Sequence, residues 1–280
     1  MSWFFTVIII AFTWGIAHVL IKKGFAHLSP LQSYALDTFV ALFIWIPYGI
    51  LAGGKLTDIT PVFLGIFLFL GIAYAGYYYV VEKGPVSIVI PIFSASPIVT
   101  VLLSYVFLGE RLGPVQFIAI CATILGVIMT SLPAKKERKV PETWVLLALF
   151  LTIVWGLENI LVKYAVDHIG NATSMILLTF GQIGAVALWR LISPQKQIVP
   201  QIPKRYFLPT LIGVILLNGG TIAYMIAMEQ SLASLVGPLS NAYVVVTVLF
   251  SAFYLREKIR PIQYLGIALT TLGVILVSIP

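Results

Sequence analysis

The chain has 280 residues, of which 60% are hydrophobic and 10% charged, with a mean hydropathy of +1.04 and a formal net charge of +7. Soluble domains are about half apolar and about a quarter charged, so the composition excludes a water-soluble globular protein and marks a polytopic membrane protein. The basic residues stand in short loops between apolar spans, a topology signal that argues against nucleic acid as a partner, and the lone Cys121 excludes a disulfide framework or a cysteine metal site.

The N-terminal stretch lacks a basic n-region and a small-x-small cleavage site, and its pattern returns near residue 155. It reads as a mature helix rather than a signal peptide. A spanning helix needs about 20 apolar residues, which divides the chain into ten predicted spans at about 3–22, 31–52, 61–81, 88–108, 114–132, 144–163, 172–192, 208–228, 235–255 and 261–279. Pro30, Pro61, Pro114, Pro209 and Pro261 fall at or just inside span starts, where a missing N–H costs nothing. The basic stretch 133–143 is the clearest polar break.

Residues 82–133 return, shifted by 147 positions and without a gap, at 229–280, and 22 of the 52 aligned positions are identical. Glu82/Glu229, Pro91/Pro238, Glu110/Glu257, Pro114/Pro261, Gln116/Gln263 and Gly126/Gly273 are among the matches. The front parts repeat at an offset of 141, where Trp14-Gly15 meets Trp155-Gly156 and Lys22 meets Lys163. The predicted fold is therefore all-α integral membrane, with ten transmembrane helices as two inverted five-helix repeats, at 1–133 and 144–280, joined by a basic linker at 134–143. Five is odd, so consecutive repeats enter the bilayer in opposite senses, an arrangement typical of transporters with a site at the repeat interface. Loops on one side collect 14 Lys and Arg residues, and those on the other collect 3 (Lys55, Arg111 and Lys163). The positive-inside rule then puts the linker in the cytoplasm and both termini outside.

Residues 93–129, with Pro97, a Gly109-Glu110-Arg111 turn, Gln116 and a closing Leu125-Gly126-Val127, resemble the signature stretch of the EamA-type transporters of the drug/metabolite transporter superfamily. The second copy keeps Glu257, Gln263 and Gly273 but carries Val244 for Pro97 and Arg256 for Gly109. The Trp-Gly pair followed by a lysine in the first and sixth spans is similar to the family as well. The resemblance covers essentially the whole chain. It implies a 5+5 inverted-repeat exporter or exchanger of small metabolites working by alternating access, with both termini in the cytoplasm, opposite to the charge count.

Polar side chains within a span are costly unless paired or facing a water-filled cavity. Trp14, His18 and Lys22 stand four apart, as do Trp155, Asn159 and Lys163. Positions i and i+4 share a helix face, so the two stripes are candidates to face each other across a central cavity, with Trp14, His18, Trp155 and Asn159 binding substrate. The alternative is bundle packing by the tryptophans and snorkelling by the lysines, the preferred reading for the lysines.

Glu158 is the sharpest candidate, for substrate binding and for coupling, because its repeat equivalent is Ala17 and the fold needs no acid there. A carboxylate at that depth is either neutralised by lost hydration or paired with a cation, and both suit a group that takes up a proton or binds a substrate ammonium. An ion pair with Lys163 or His18 is the structural alternative. Asp37 is the second candidate coupling group, although a structural pair with Lys22 or Lys23 explains it slightly better.

Gln182, Asn218 and the symmetry-related Ser94 and Asn241 are uncharged binding candidates. The last two follow Pro91 and Pro238, and proline inside a helix frees a carbonyl, though ordinary helix-start prolines serve almost as well. Tyr74, Tyr77, Tyr78 and Tyr79, with Tyr224 repeating Tyr77, fit an interfacial belt or, alternatively, an aromatic wall for a planar or cationic substrate, and Tyr77 is carried as a binding candidate. Gly126 and Gly273 are read as permitting close helix packing, and Glu110 and Glu257 as exposed charges closing tight turns.

The functional expectation is a secondary transporter in the cell's inner membrane, exporting or exchanging a small metabolite such as an amino acid, with a proton as candidate coupling ion. The chain has no phosphate-binding loop signature for ATP and no HExxH or GxSxG motif for an intramembrane enzyme. No cofactor and no metal are expected. The partners expected are a small-molecule substrate and the lipid bilayer, with a monomer or homodimer as the unit. A non-transporting subunit or sensor on the same scaffold is the alternative.

Overall fold

Prolines and a capping residue mark where the helices start. The computed structural model describes residues 2–83, 92–132, 142–193, 201–256 and 258–278. Pro91, Glu257, Lys196 and linker residues 133–141, with Lys135, Lys136, Arg138 and Lys139, lie outside the described residues. All described regular structure is helical: α1 (Ser2–Phe25), α2 (Pro30–Leu51), a 3₁₀ turn (Leu56–Asp58), α3 (Pro61–Lys83), α4 (Ser96–Phe107), α5 (Pro114–Ser131), α6 (Glu142–Ile192), α7 (Lys204–Gln230), α8 (Ala233–Ser240), α9 (Tyr243–Tyr254) and α10 (Pro261–Ser278). Pro30, Pro61, Pro114 and Pro261 are first helical residues, as expected. Pro209 instead lies within α7, which begins at Lys204. The carbonyl it leaves free belongs to Arg205, in the first turn, where helical partners are lacking for other groups as well.

Seven described helices are long and apolar enough to cross a membrane by length and composition, and the shorter apolar helices Ser96–Phe107 and Pro261–Val277 accompany them. The longest run, α6, has 51 residues, far more than the roughly 20 that span a bilayer. It is broken at Gly170, whose φ of 74° and ψ of 162° leave the helical region for one that only glycine adopts readily. Large apolar side chains, Phe43, Leu102 and Phe253 among them, point outward, as a surface solvated by lipid requires.

The two halves interlock. The main contacts pair α1 with α7, α3 with α6, and α5 with α10, while α1 also packs on α9 and α4 on α6. Each of these pairs joins one half to the other, and exchanging the halves maps the set onto itself. At the α5–α10 contact, a Cβ on Gly126 would stand 2.4 Å from the Thr270 amide nitrogen, and one on Gly273 would stand 2.3 Å from Thr123 Oγ1. The contact is thus the same small-residue device used twice, Gly126 on Thr270 and Gly273 on Thr123. Gln116 and Gln263, also related by the repeat, accept from the N–H groups of Gly113 and Arg260 at 3.0 and 2.9 Å and so cap the starts of the same two helices.

Two helices stop short at matching places. The turn at Ser94-Ala95 precedes α4, and the turn at Asn241-Ala242 separates α8 from α9. The predicted span 235–255 is therefore a broken pair, with Pro238 inside α8. The Gly237 carbonyl, left at the break, accepts from Ser240 Oγ and Asn241 Nδ2, both at 2.8 Å.

Glu110 corrects the sequence reading. It is buried rather than exposed, and its carboxylate accepts from the Ala233 N–H (2.9 Å), the Ser234 N–H (2.8 Å) and the Ser234 hydroxyl (2.5 Å). A residue from the first half thereby caps α8 in the second, where an anion also complements the positive end of the helix.

Gly126→Val is expected to force α5 and α10 apart and cost about 1–3 kcal/mol, the usual penalty of overpacking a fitted contact. A melting curve in detergent checks this, and an unchanged Tm would show the contact to be loose.

Candidate functional site

One cavity of about 580 Å³ is walled by both halves, within the range typical of small-molecule sites. Its lining runs from the buried Trp45, Asn159 and Asn218 to the exposed Lys22 and Ala26. The mouth therefore lies at the α1–α2 turn.

Aromatic side chains make most of the wall. Trp14 of α1 meets Tyr224 of α7 at 5.5 Å, and Trp155 of α6 meets Tyr77 of α3 at 5.1 Å, each with planes inclined by 35°. The two pairs are related by the repeat, and each joins one half to the other. Tyr74 and Phe93 close around Trp155 at 5.0 and 5.1 Å, while Tyr243 packs on Trp14 at 5.8 Å and stacks on His18 at 4.9 Å. Tyr74, Tyr77 and Tyr78 thus line the cavity and do not form an interfacial belt. Tyr79 faces outward beside Trp144, because side chains two positions apart on a helix point to different faces.

The amide, imidazole and carboxylate side chains of the cavity each have a hydrogen-bond partner, with one exception. His18 Nδ1 lies 2.7 Å from the Trp14 carbonyl, and Asn159 Nδ2 lies 3.1 Å from the equivalent Trp155 carbonyl. Asn159 also donates to Thr100 Oγ1 at 2.9 Å and accepts from the Tyr224 hydroxyl. Asn218 Nδ2 donates to Asp37 Oδ1 at 2.8 Å and to the Val214 carbonyl at 2.9 Å, and Tyr78 is a second hydrogen-bonding partner of Asp37. Trp14 and Trp45 donate their indole N–H groups to the carbonyls of Leu217 and Asn218, at 3.1 and 3.0 Å. The exception is Glu158. It is 3% exposed and lines the cavity, and among the described residues its carboxylate has neither an ion-pair nor a hydrogen-bond partner. Lys163, the partner considered for it, instead donates to Asp167 Oδ1 at 2.7 Å and to the Met228 carbonyl at 2.9 Å.

Trp14, His18, Asp37, Tyr77, Trp155, Glu158, Asn159, Asn218 and Asn241 are thus brought to one cavity. Ser94 and Gln182 are not. Ser94 turns toward α5 and donates to Ser131 Oγ at 2.7 Å. Gln182 is fully buried and lies next to Gly181, which packs against the Phe67 carbonyl of α3. The lining residues Phe93 and Tyr243 were not singled out from the sequence, though each sits within two positions of a residue that was, Ser94 or Asn241.

Away from the mouth a cluster of hydrogen bonds joins the halves. Tyr48 lies about 27 Å along α2 from Pro30. Its hydroxyl donates to Asn171 Oδ1 at 2.5 Å, and Asn171 donates its backbone N–H to Glu229 Oε1 at 3.0 Å and its side-chain amide to Glu229 Oε2. Thr173 Oγ1 accepts from the Lys55 N–H at 3.0 Å beside them.

The model of the EamA-like transporter family matches residues 1–132 and 142–279, one copy on each half. The chain belongs to the EamA-like transporter family. It is accordingly a multi-pass membrane protein of a transporter family, with a lipid bilayer as its surroundings. A protein from Sinorhizobium described as an uncharacterized transporter in the cobO 3′ region is 23% identical over 138 residues, which is 49% of this EamA-like chain and 98% of that protein. An uncharacterized protein of Methanocaldococcus jannaschii is 46% identical over 55 residues, which is 20% of this chain and 40% of that protein. The chain therefore spans less than half the length of this second relative. A solved crystal structure superposes with a TM-score of 0.81 over 99% of this chain and 96% of its own, at 17% identity, a likeness of fold.

Asn218→Ala is expected to lower stability by about 1–3 kcal/mol, because it strips a donor from a buried carboxylate. A double-mutant cycle with Asp37→Asn, read from melting curves, should return a coupling between the two sites. Strictly additive losses would show that the bond carries no stability.

Proposed function

We propose that the protein is a secondary transporter that exports or exchanges a small metabolite, such as an amino acid or a related solute, across the cell's inner membrane by alternating access. The observation that carries this reading is the cavity shared by both halves, with its mouth at one end and a hydrogen-bonded closure at the other. On this reading the chain makes ten spans. They are α1, α2, α3, a fourth that includes α4, α5, two from α6 divided at Gly170, α7, the α8–α9 pair, and α10. Residues 1–133 form the first repeat, 134–143 the linker and 144–280 the second repeat, which the odd span count inverts. One chain supplies both halves, so a monomer suffices and a homodimer would place two such units side by side.

The charge count puts the α1–α2 turn, with Lys22 and Lys23, on the cytoplasmic side. A cavity open there is the state in which an exporter loads. Trp14, His18, Tyr77, Trp155, Glu158, Asn159, Asn218 and Asn241 would contact substrate, while Ser94 and Gln182 would act away from it. Glu158 and Asp37 serve as coupling groups, with a proton as the ion. Tyr48, Asn171 and Glu229 act as the latch on the far side.

The test uses Thr173→Cys in a Cys121→Ser background, labelled by a membrane-impermeant maleimide applied from the side opposite the mouth. Thr173 is buried beside the latch, so slow labelling is expected as the closed side opens. Glu229→Gln should speed it several-fold, since a lost hydrogen bond is worth about 0.5–1.5 kcal/mol and about 1.4 kcal/mol is tenfold. A rigid, non-transporting subunit would remain unlabelled from that side with or without the Glu229 change.

A further inference from the structure

The chemistry of the cavity narrows what it takes. Cations are attracted to the faces of tryptophan and tyrosine rings, and two Trp–Tyr pairs line the cavity, Trp14 with Tyr224 and Trp155 with Tyr77. Glu158 lies three residues from Trp155 on α6, and Tyr74 and Tyr224 are both within electrostatic reach of it. A buried carboxylate without a partner is costly, whereas one that meets a cation inside the site is compensated.

The other charges bear on the choice between an amine and a zwitterion. Among the described residues lining the cavity, Lys22 is the one lysine or arginine, and it stands at the exposed mouth. The buried part holds two acids, Asp37 and Glu158, and the first already accepts from Asn218. His18 has its Nδ1 committed to the Trp14 carbonyl and its ring stacked on Tyr243. A carboxylate carried deep into the cavity would find acids there and no Lys or Arg. The volume of about 580 Å³ leaves room for an aromatic body beside the charged group.

We infer that the substrate class is a monovalent organic amine with an aromatic or other apolar body, its ammonium seated on Glu158 and its body between the Trp–Tyr pairs. The inference rests on the transporter reading only for the word substrate, since the site would bind such an amine whether or not it carries it across.

Isothermal titration calorimetry on the full chain in nanodiscs tests it, with three probes that share one body: phenethylamine, phenylalanine and 3-phenylpropionate. Phenethylamine should bind at least about tenfold tighter than phenylalanine, and 3-phenylpropionate should show no heat of binding. Glu158→Gln should weaken phenethylamine at least tenfold, with Glu158→Asp keeping part of the affinity. Comparable binding of the acid or the zwitterion, an unchanged amine affinity in a folded Glu158→Gln sample, or no binding of phenethylamine would each overturn the inference. The wild-type series decides by itself if the variants do not fold. Phenethylamine counterflow in proteoliposomes separates the two claims: an amine that binds but never crosses upholds the binding class and removes the transporter reading.

Discussion

A helix that stops within a bilayer leaves N–H and carbonyl groups where no water can reach them. The α8 helix meets that constraint at its break inside the predicted span 235–255, and its other end, in the turn after α7, is capped as well. Its N-terminus is held by Glu110, which reaches from the α4–α5 turn of the other half to the N–H groups of Ala233 and Ser234. Its C-terminus ends at the Asn241-Ala242 turn, where Ser240 and Asn241 fold back on the Gly237 carbonyl. With both ends satisfied, α8 can be only eight residues long, and the break that follows it brings Asn241 and Tyr243 into the cavity wall. The same hydrogen bonds join the two halves, so one carboxylate contributes both to the shape of the cavity wall and to the docking of the repeats.

Duplication explains most of the remaining geometry. Gly126 on Thr270 repeats as Gly273 on Thr123, and the two Trp–Tyr pairs are copies of each other. Function enters where the copies diverge. His18 stands opposite Asn159 in the repeat, and Ala17 opposite Glu158. A scaffold of equivalent halves has no reason to keep a buried acid on one side alone, and Glu158 is the charged group of the cavity without a partner among the described residues. An equivalent scaffold with one unmatched charge is suited to binding a ligand that has a single charged end.

Much of this was legible in the chain itself. Trp14, His18, Trp155 and Asn159 could be placed because helical spacing puts i and i+4 on one face and the repeat supplies the partner stripe. Glu158 stood out because its counterpart is alanine. Gln182 is a candidate on the same ground of an expensive polar group in a span, but cost does not say which way a side chain faces, and its helix turns it away from the cavity. Ser94 sits in the turn before α4, so its direction follows from the break rather than from helical periodicity. Glu110 was read as solvated because it lies in a short turn beside Arg111. The signal against that reading was its recurrence as Glu257, since a freely hydrated charge has no structural reason to survive in both copies. The two predicted spans 144–163 and 172–192 run on as one helical stretch in α6, and the non-helical backbone at Gly170 falls between them.

The central claim is that the two halves rock about a shared cavity, opening one end as the other closes. Pulsed electron–electron double resonance in nanodiscs addresses it without a known ligand. One spin-label pair would sit at the mouth end, at Ala26 on the α1–α2 turn and Thr143 at the start of α6, and a second at the opposite end, at Lys55 and Gln230, all exposed positions outside the latch. Two distance populations are expected for each pair, with the long distance at the mouth accompanying the short distance at the opposite end as conditions shift the balance. A single, unchanging distance for both pairs would contradict the account.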